Sequence, residues 1–226
     1  MSLDRAMFRR GVGEAFPLFL TVVPFALVVG LAVVESGLNR LIGWSSSSII
    51  FAGAAQLTVI TLLGSGTAAA AAIAAGLVIQ SRHLMYSAAM APTFQKQPGW
   101  FRWLAPYALI DQMFALTVRQ TDQAPDAFRS YYLGAMVVYV IGWNTTTALG
   151  MLVGPVVPDS WQLGFAIPLM FLALMVSGID RWEKAFAAFA AAVATYLTIG
   201  LPNRAALIIG GVVGVVAGVA AERIRD

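Results

Sequence analysis

Long apolar runs alternate along this chain with short breaks that are polar or rich in glycine and proline. Most runs are close to the ~20 residues that a helix needs to cross a hydrocarbon layer roughly 30 Å thick. The breaks include Gly64 to Gly66, Arg119 to Arg129 and Pro155 to Pro158. The pattern predicts eight transmembrane helices with these approximate limits: Phe16–Val34, Trp44–Leu63, Thr67–Ala91, Phe101–Val118, Tyr131–Gly154, Gln162–Ser177, Lys184–Gly200 and Arg204–Ala221.

Composition agrees with an all-α integral membrane bundle, because 59% of the residues are hydrophobic and only 11% are charged. No soluble domain of 226 residues has a core large enough for such a fraction. No long linker interrupts the runs, so we predict one transmembrane domain over residues 1–226. Without cysteine the chain has neither a disulfide nor a thiolate metal site, and no motif indicates a cofactor. Its scattered basic residues form no patch for nucleic acid.

Lysine and arginine predict the orientation, because they are retained on the cytoplasmic side of a membrane. The first run is too long for a cleaved secretory signal and is better interpreted as the first span. A cytoplasmic N-terminus with eight spans places the C-terminus in the cytoplasm as well. The nine basic residues then predicted inside are Arg5, Arg9, Arg10, Arg119, Arg129, Arg181, Lys184, Arg223 and Arg225, and the four outside are Arg40, Lys96, Arg102 and Arg204.

Three ionisable residues lie inside apolar runs, where a charge is costly and commonly marks a function. Arg82 and His83 lie in the third run, and Asp111 lies in the fourth. Counted from the outer ends of two antiparallel spans, Arg82 and Asp111 are both about 14 Å deep at 1.5 Å per residue. We therefore predict that they pair. Such a pair either fastens two helices or belongs to a functional site, and the polar neighbours Tyr86 and Gln112 favour the site.

Other runs carry residues that predict helix breaks or polar contacts inside the membrane. In the second run, Gly53 loosens the helix and Gln56 places an amide near the middle of the layer. Breaks of this kind either expose backbone groups to a ligand or are harmless kinks. Trp143 and Asn144 begin a polar cluster that either bonds to other helices or lines a substrate path. Close helix packing is predicted in the last run by glycines that repeat every four residues: Gly210, Gly214 and Gly218.

Several segments carry a resemblance to a known family: Phe51 to Gln56, Arg82 to Ser87, Ala91 to Pro92, Asp111, Trp143 to Gly154 and Phe165 to Leu174. Together and in this order they resemble the AzlC family of bacterial branched-chain amino acid exporters. Each motif is short, but the resemblance covers almost the whole chain. One departure is Gln112, since the family often carries Glu directly after the Asp of the fourth span.

The resemblance implies export of leucine, isoleucine and valine, with methionine as a further candidate, across the bacterial inner membrane. It also implies a small AzlD-type membrane protein as the other subunit. The protein would then be a proton-coupled secondary transporter and not an enzyme. Its remaining partners are the amino acid substrate and membrane lipids, and homo-oligomer formation is left open.

A zwitterion with an apolar side chain needs an opposite charge or dipole for each of its own charges. As hypotheses, Arg82 or the N-terminus of a broken helix binds the carboxylate, while Asp111 and Gln56 face the ammonium group. Phe, Leu and Met side chains would line the rest of the site. Asp111 and His83 are the two predicted proton carriers. The other predicted substrate contacts are Tyr86, Asn144 and Gln112.

Rival functions use the same residues differently. A passive channel would share the polar core but would not concentrate its solute, and the chain lacks a filter-like backbone segment. In a non-catalytic assembly subunit for small zwitterionic solutes, the partner subunit would form the transport path. An intramembrane enzyme is disfavoured, because Ser87 and His83 share one helix face, which is more typical of packing than of a catalytic dyad.

Overall fold

The computed structural model describes residues 3–153, 181–200 and 205–225, together with 172, 175, 176 and 179. Every regular element in these residues is helical, so the predicted all-α class is confirmed. The helices are α1 Arg5–Glu35, α2 Arg40–Ile49, α3 Gly53–Gly64, α4 Ala69–Gln80, α5 Arg82–Gln95, α6 Gly99–Leu104, α7 Asp111–Thr117, α8 Pro125–Val153, α9 Trp182–Leu197 and α10 Ala205–Arg225. Two 3₁₀ turns, Ala105–Ala108 and Val118–Gln120, flank α7.

Contacts divide the chain into two compact units, Met1–Ile167 and Pro168–Asp226. Within the described residues, α1 and α8 are the helices that are both long and apolar enough to cross a membrane by themselves. The predicted sixth span lies almost entirely outside the described residues, as do Gly154 and Arg204. The single domain over residues 1–226 stays a prediction.

Capping side chains mark where the first two helices begin. Asp4 Oδ1 and Asn39 Oδ1 each accept two backbone N–H groups from the turn that follows. By contrast, α3 begins after Ala52 without a side-chain cap. Its first N–H groups therefore have no side-chain acceptor of this kind at the helix start.

Helices α1 and α8 form a parallel pair, which is the scaffold of the first unit. Near the start of both helices, the Asp4 backbone N–H donates to Ser130 Oγ at 3.0 Å. Towards their other ends, the two backbones touch, because a Cβ on Gly30 would overlap the Thr147 carbonyl oxygen. The end of the unit where α1 and α8 begin is named the near end here, and the opposite end is named the far end.

Helices α2 and α3 form a helical hairpin, named the far hairpin (Arg40–Gly64). It begins at the far end, directly after α1, and it also finishes there, since a Cβ on Gly64 would lie 2.7 Å from Ser36 Cβ. At its tip, Phe51 has a φ of 41°, a left-handed conformation that is rare for a bulky residue. The sequence leaves open whether the second run is a continuous span or re-enters the membrane; the structure breaks it into two helices that return to the far end, and the predicted loosening near Gly53 is confirmed.

Helices α4 and α5 cross the unit from the far end to the near end. Four residues separate the far hairpin from α4, and α5 ends where Phe94 packs edge-on against Tyr132 near the start of α8. Ser81 alone separates the two helices. The predicted third span is thus helical over most of its length but breaks immediately before Arg82.

Helices α6 and α7 with their two 3₁₀ turns form a second hairpin, named the near hairpin (Gly99–Gln120). It starts at the near end, where Gln97 Nε2 donates to the Pro125 carbonyl oxygen at 3.0 Å. It also finishes at the near end, because only residues 121–124 separate it from α8. The predicted fourth span is therefore wrong: the chain breaks at residues 109–110 and returns to the end at which it entered.

The near hairpin also corrects the predicted sides of Lys96 and Arg102. The sequence prediction puts both residues on the side of the membrane opposite Arg129. In the structure, Arg129 Nη1 donates to Gln97 Oε1 at 3.1 Å, so the loop that contains Lys96 lies beside the start of α8. The hydrophobic pattern missed this because a hairpin and a full span can contain equally long apolar sequences.

In the second unit, α9 and α10 form an antiparallel pair through small residues. A Cβ on Gly214 would lie 2.8 Å from Ala191 Cβ, and one on Gly218 would lie 3.2 Å from Ala187 Cβ. The predicted glycine packing is confirmed, and the helix that it contacts is this chain's own α9.

Candidate functional site

Three helix breaks of the first unit lie close to one another. Gln80 Nε2 donates to the Ile50 carbonyl oxygen at 3.3 Å, which joins the end of α4 to the tip of the far hairpin. The Tyr107 hydroxyl donates to the Ser48 carbonyl oxygen at 2.7 Å, which joins the two hairpins. An ion pair between α5 and α7 supplies the third link. The breaks lie at residues 50–52, 81 and 109–110.

The ion pair that connects α5 and α7 is the one predicted from the sequence. Arg82 Nη1 lies 2.9 Å from Asp111 Oδ2, and the Tyr86 hydroxyl donates to Asp111 Oδ1 at 2.8 Å. Arg82 and Tyr86 lie one turn apart on α5, which lets both reach the same carboxylate. The two charged side chains are 33% and 25% exposed, so the pair is only partly buried. Asp111 opens α7, where a negative charge is favoured by the helix dipole.

Three polar atoms around this pair are buried and have no hydrogen-bond partner within the part of the chain that the structure describes. They are Gln80 Oε1, Arg82 Nε and His83 Nε2. A buried polar atom left unpaired costs about 1–3 kcal/mol, and lipid supplies no water to satisfy it. The cluster therefore retains hydrogen-bonding capacity for a polar solute. No group of three His, Asp or Glu side chains suited to a metal ion occurs in the described ranges.

Aromatic rings border the ion pair. Tyr86 stacks on Phe114 with ring centroids 4.6 Å apart and an interplanar angle of 14°. Phe51 stacks on Tyr107 at 5.0 Å and 23°, at the contact between the hairpin tips. These rings place apolar surface close to the charged groups, an arrangement that suits a solute with both a charged and an apolar part.

Gln56 belongs to a second polar cluster, which fastens the far hairpin to α8. Its Nε2 donates to Ser46 Oγ at 2.9 Å and to Ser47 Oγ at 2.8 Å, and its Oε1 accepts the Trp143 indole N–H at 2.9 Å. Gln56 is completely buried, and both amide hydrogens are used. Of the two interpretations of Trp143, the interhelical hydrogen bond is the one the structure contains. The predicted contact of Gln56 with substrate stays a prediction and would require these bonds to break.

The other two amides of the predicted site lie in different surroundings. Asn144 Oδ1 accepts the Ser48 hydroxyl at 2.7 Å, which adds to the fastening of the far hairpin. Gln112 is half-buried beside Asp111 and makes no side-chain hydrogen bond to any residue that the structure describes. Both substrate roles stay predictions.

Sequence reasoning missed several residues of the cluster. Gln80 stands two positions before Arg82, and this short polar run was a usable signal. Tyr107 and Phe114 offered no such signal, because their positions matter only once the near hairpin folds back against α5 and the far hairpin.

Comparison with protein families identifies the chain. Residues 17–157, more than half of its length, match the family model described as AzlC protein. The chain belongs to the AzlC family. The resemblance inferred from the sequence is confirmed, and the region shared with AzlC proteins contains both hairpins and the whole Arg82–Asp111 cluster.

Relatives of this AzlC-family chain are membrane proteins. An uncharacterized membrane protein of Archaeoglobus fulgidus is 29% identical over 178 residues, which cover 77% of each chain. The inner membrane protein YgaZ of Escherichia coli is 22% identical over 215 residues, which cover 92% of this chain and 87% of YgaZ. A membrane protein of Helicobacter pylori is 23% identical over 182 residues, covering 77% and 78%. No solved structure matches the chain. The protein is thus a membrane protein of the AzlC family.

Proposed function

We propose that this protein is a secondary transporter that exports branched-chain amino acids across the bacterial inner membrane. Its substrates are leucine, isoleucine and valine, with methionine as a further candidate. It is a multi-pass protein with both termini in the cytoplasm, and it works with a small AzlD-type membrane subunit. The substrate class and the partner rest on the family resemblance. The observation that carries the site is the Arg82–Asp111 pair at the three helix breaks.

The Arg82–Asp111 pair suits a zwitterion because it offers one partner for each charge. A substrate carboxylate replaces Asp111 on the guanidinium group, and the substrate ammonium group binds the released Asp111. Each exchange trades one charge-assisted hydrogen bond, about 1.5–3 kcal/mol, for another. The binding is therefore close to balanced, which allows the substrate to be released on the other side.

The apolar part of the substrate lies against the stacked rings of Tyr86 and Phe114. Full burial of a side chain the size of leucine or valine contributes about 1.5–3 kcal/mol. A smaller or polar side chain gains less from the same surface. This surface accounts for a preference for branched aliphatic amino acids.

Asp111 and His83 carry the coupled proton. Protonation of Asp111 removes its negative charge, weakens its attraction for Arg82 and leaves the substrate ammonium group without a counter-charge, so proton and substrate compete for the site and proton entry drives export. His83 follows Arg82 in the chain, and its ring centroid lies 5.8 Å from that of Tyr86, so it is placed to exchange a proton with the cluster. The proton gradient thus biases the equilibrium between conformations open to the two sides.

Inverted membrane vesicles that contain the protein and its AzlD-type partner test this function. Labelled leucine should accumulate when a proton gradient is imposed, because export from the cell corresponds to uptake into inverted vesicles. Asp111→Asn should abolish gradient-driven accumulation. Asp122→Asn, which changes an exposed loop carboxylate, is the matched control and should accumulate leucine normally.

The other outcomes point to different functions. Unchanged accumulation by Asp111→Asn would refute the coupling role. Leucine flux that only equilibrates the two sides, with or without the gradient, would identify a passive channel. Full flux by the partner subunit expressed alone would reduce this chain to an assembly subunit.

A further inference from the structure

The near and far hairpins approach each other from opposite ends of the first unit. The far hairpin begins and ends at the far end, and the near hairpin begins and ends at the near end. At 1.5 Å per residue, α2 and α3 rise about 15 and 18 Å, and α6 with its 3₁₀ turn rises about 17 Å. Each hairpin therefore reaches about halfway through a hydrocarbon layer roughly 30 Å thick. By the same measure α4 and α5 together extend about 40 Å and cross the layer.

Basic residues of the first unit identify the side that each hairpin enters. Apart from Arg82 at the helix breaks, this unit has eight lysine and arginine residues in its described helices and loops. The eight-span prediction puts five of these inside and three outside, whereas the hairpin arrangement puts seven at the near end and only Arg40 at the far end. Such a bias is typical of the cytoplasmic side. The seven are Arg5, Arg9, Arg10, Lys96, Arg102, Arg119 and Arg129.

Tyr107 holds the two tips together. Its hydroxyl donates to the Ser48 carbonyl oxygen at 2.7 Å, and its ring stacks on Phe51. Ala52 in the far tip is 3% exposed and Ala108 beside the near break is 0% exposed, so these two positions are closed in this structure, whereas Tyr107 itself is 39% exposed. Phe51 is held in a left-handed backbone conformation, which persists only when surrounding contacts stabilise it.

We propose that the two hairpins are opposed gates, one at each face of the membrane, and that Tyr107 latches them over the Arg82–Asp111 pair. Movement of the near hairpin opens the pair to the cytoplasm, and movement of the far hairpin opens it to the outside. The hairpin that does not move keeps the opposite face closed. This inference rests on the proposed transport function and adds to it the elements that give access to the site from each side.

Single cysteines test the faces, since the chain has no cysteine of its own. Lys96→Cys lies at the base of the near hairpin, and Ser65→Cys lies at the base of the far hairpin. A membrane-impermeant maleimide should label Ser65→Cys in intact cells. It should label Lys96→Cys only in inverted vesicles, and the control Asp122→Cys should behave like Lys96→Cys. Eight continuous spans would instead put Lys96→Cys outside and Ser65→Cys inside. Lys96→Cys would then be labelled in intact cells and Ser65→Cys only in inverted vesicles. Labelling of Lys96→Cys in intact cells would therefore overturn the opposed gates.

The latch is tested by Tyr107→Phe, which removes the hydroxyl and keeps the stacked ring. The reporter is maleimide labelling of Ala52→Cys in the closed far tip. Loss of one neutral hydrogen bond, about 1 kcal/mol, should raise the labelling rate about fivefold. Tyr196→Phe, at a 75% exposed tyrosine of α9, is the control and should leave the rate unchanged.

A second reporter keeps the latch test decisive. If Ala52→Cys fails to reach the membrane, Ala108→Cys beside the near break takes its place. An unchanged labelling rate in the reporter that folds would overturn the role of Tyr107. Labelling does not require substrate, so a labelling result other than the expected one contradicts the gates and leaves the transport function untouched. If the unsubstituted protein with its partner shows no leucine flux while the labelling results are as expected, the transport function is contradicted and the gates stay in place.

Discussion

The first unit contains two polar clusters whose hydrogen bonding differs. The Gln56 cluster is neutral and buried, and each hydrogen of the Gln56 amide has an acceptor. The Arg82–Asp111 cluster is charged and partly exposed, and it keeps three buried polar atoms without a partner in the described part of the chain. A satisfied network rigidifies the helices that it joins, whereas a charged one with spare donors and acceptors can exchange partners. We infer that the first cluster maintains the scaffold and the second binds the solute.

The largest effect is expected from Asp111→Asn. It leaves the Arg82 guanidinium without its counter-charge and removes the negative charge that binds the substrate ammonium group. Charge-assisted hydrogen bonds contribute about 1.5–3 kcal/mol, so leucine flux should fall about 10- to 100-fold. The melting temperature in detergent should change little, because the pair is partly exposed. Flux within twofold of the parent, as expected for Asp122→Asn, would remove the distinction between the clusters.

Gln56→Leu should have the opposite profile. It leaves the Trp143 indole N–H without its acceptor and takes a donor from two serines. The free energy of unfolding should fall by about 2 kcal/mol, while flux per folded molecule stays close to that of the parent. Thermal unfolding in detergent and vesicle flux measure the two quantities. A normal melting temperature with lost flux would instead move Gln56 into the substrate site, as the sequence suggested.

Tyr86→Phe should have a smaller effect on transport. It removes one hydrogen bond to Asp111 but retains the ring that stacks on Phe114. Because the site is partly exposed, we expect a loss of about 1 kcal/mol, which corresponds to a roughly fivefold higher leucine concentration for half-maximal export. Tyr196→Phe is the matched control in the same flux assay. An unchanged concentration dependence would exclude the Tyr86 hydroxyl from the site.

Ser48→Ala should have the smallest effect. It removes the hydroxyl that donates to Asn144, but it keeps the backbone carbonyl that accepts from Tyr107. The side chain is exposed and lies at the edge of the Gln56 cluster, so the free energy of unfolding should fall by less than about 0.5 kcal/mol. Thermal unfolding of Ser48→Ala and Gln56→Leu, measured under the same conditions, allows the two losses of stability to be compared. A loss as large as that of Gln56→Leu would mean that the fastening depends on the Ser48–Asn144 contact as much as on Gln56.

The Arg82–Asp111 pair was predictable although the side from which its depth was counted was wrong. The sequence prediction counts depth from the face opposite the N-terminus, whereas the base of the near hairpin lies at the end where α1 and α8 begin. The pairing prediction survived because a position near the middle of a layer is similarly far from both faces. Gln56 shows the reverse case: its position in an apolar run suggests a site, but its hydrogen bonds to Ser46, Ser47 and Trp143 depend on the bend between α2 and α3.

The amino-acid sequence by itself determined the helical membrane class, the family and the two charges that pair, because apolar run length and isolated ionisable residues are local features. Only the tertiary structure decided that two of the runs are hairpins, since turning back at residues 50–52 or 109–110 leaves the apolar pattern unchanged. The contact of Tyr107 with Ser48 and Phe51 likewise exists only because the two hairpin tips meet. That meeting depends on the parallel packing of α1 and α8, which brings together residues more than 100 positions apart in the chain.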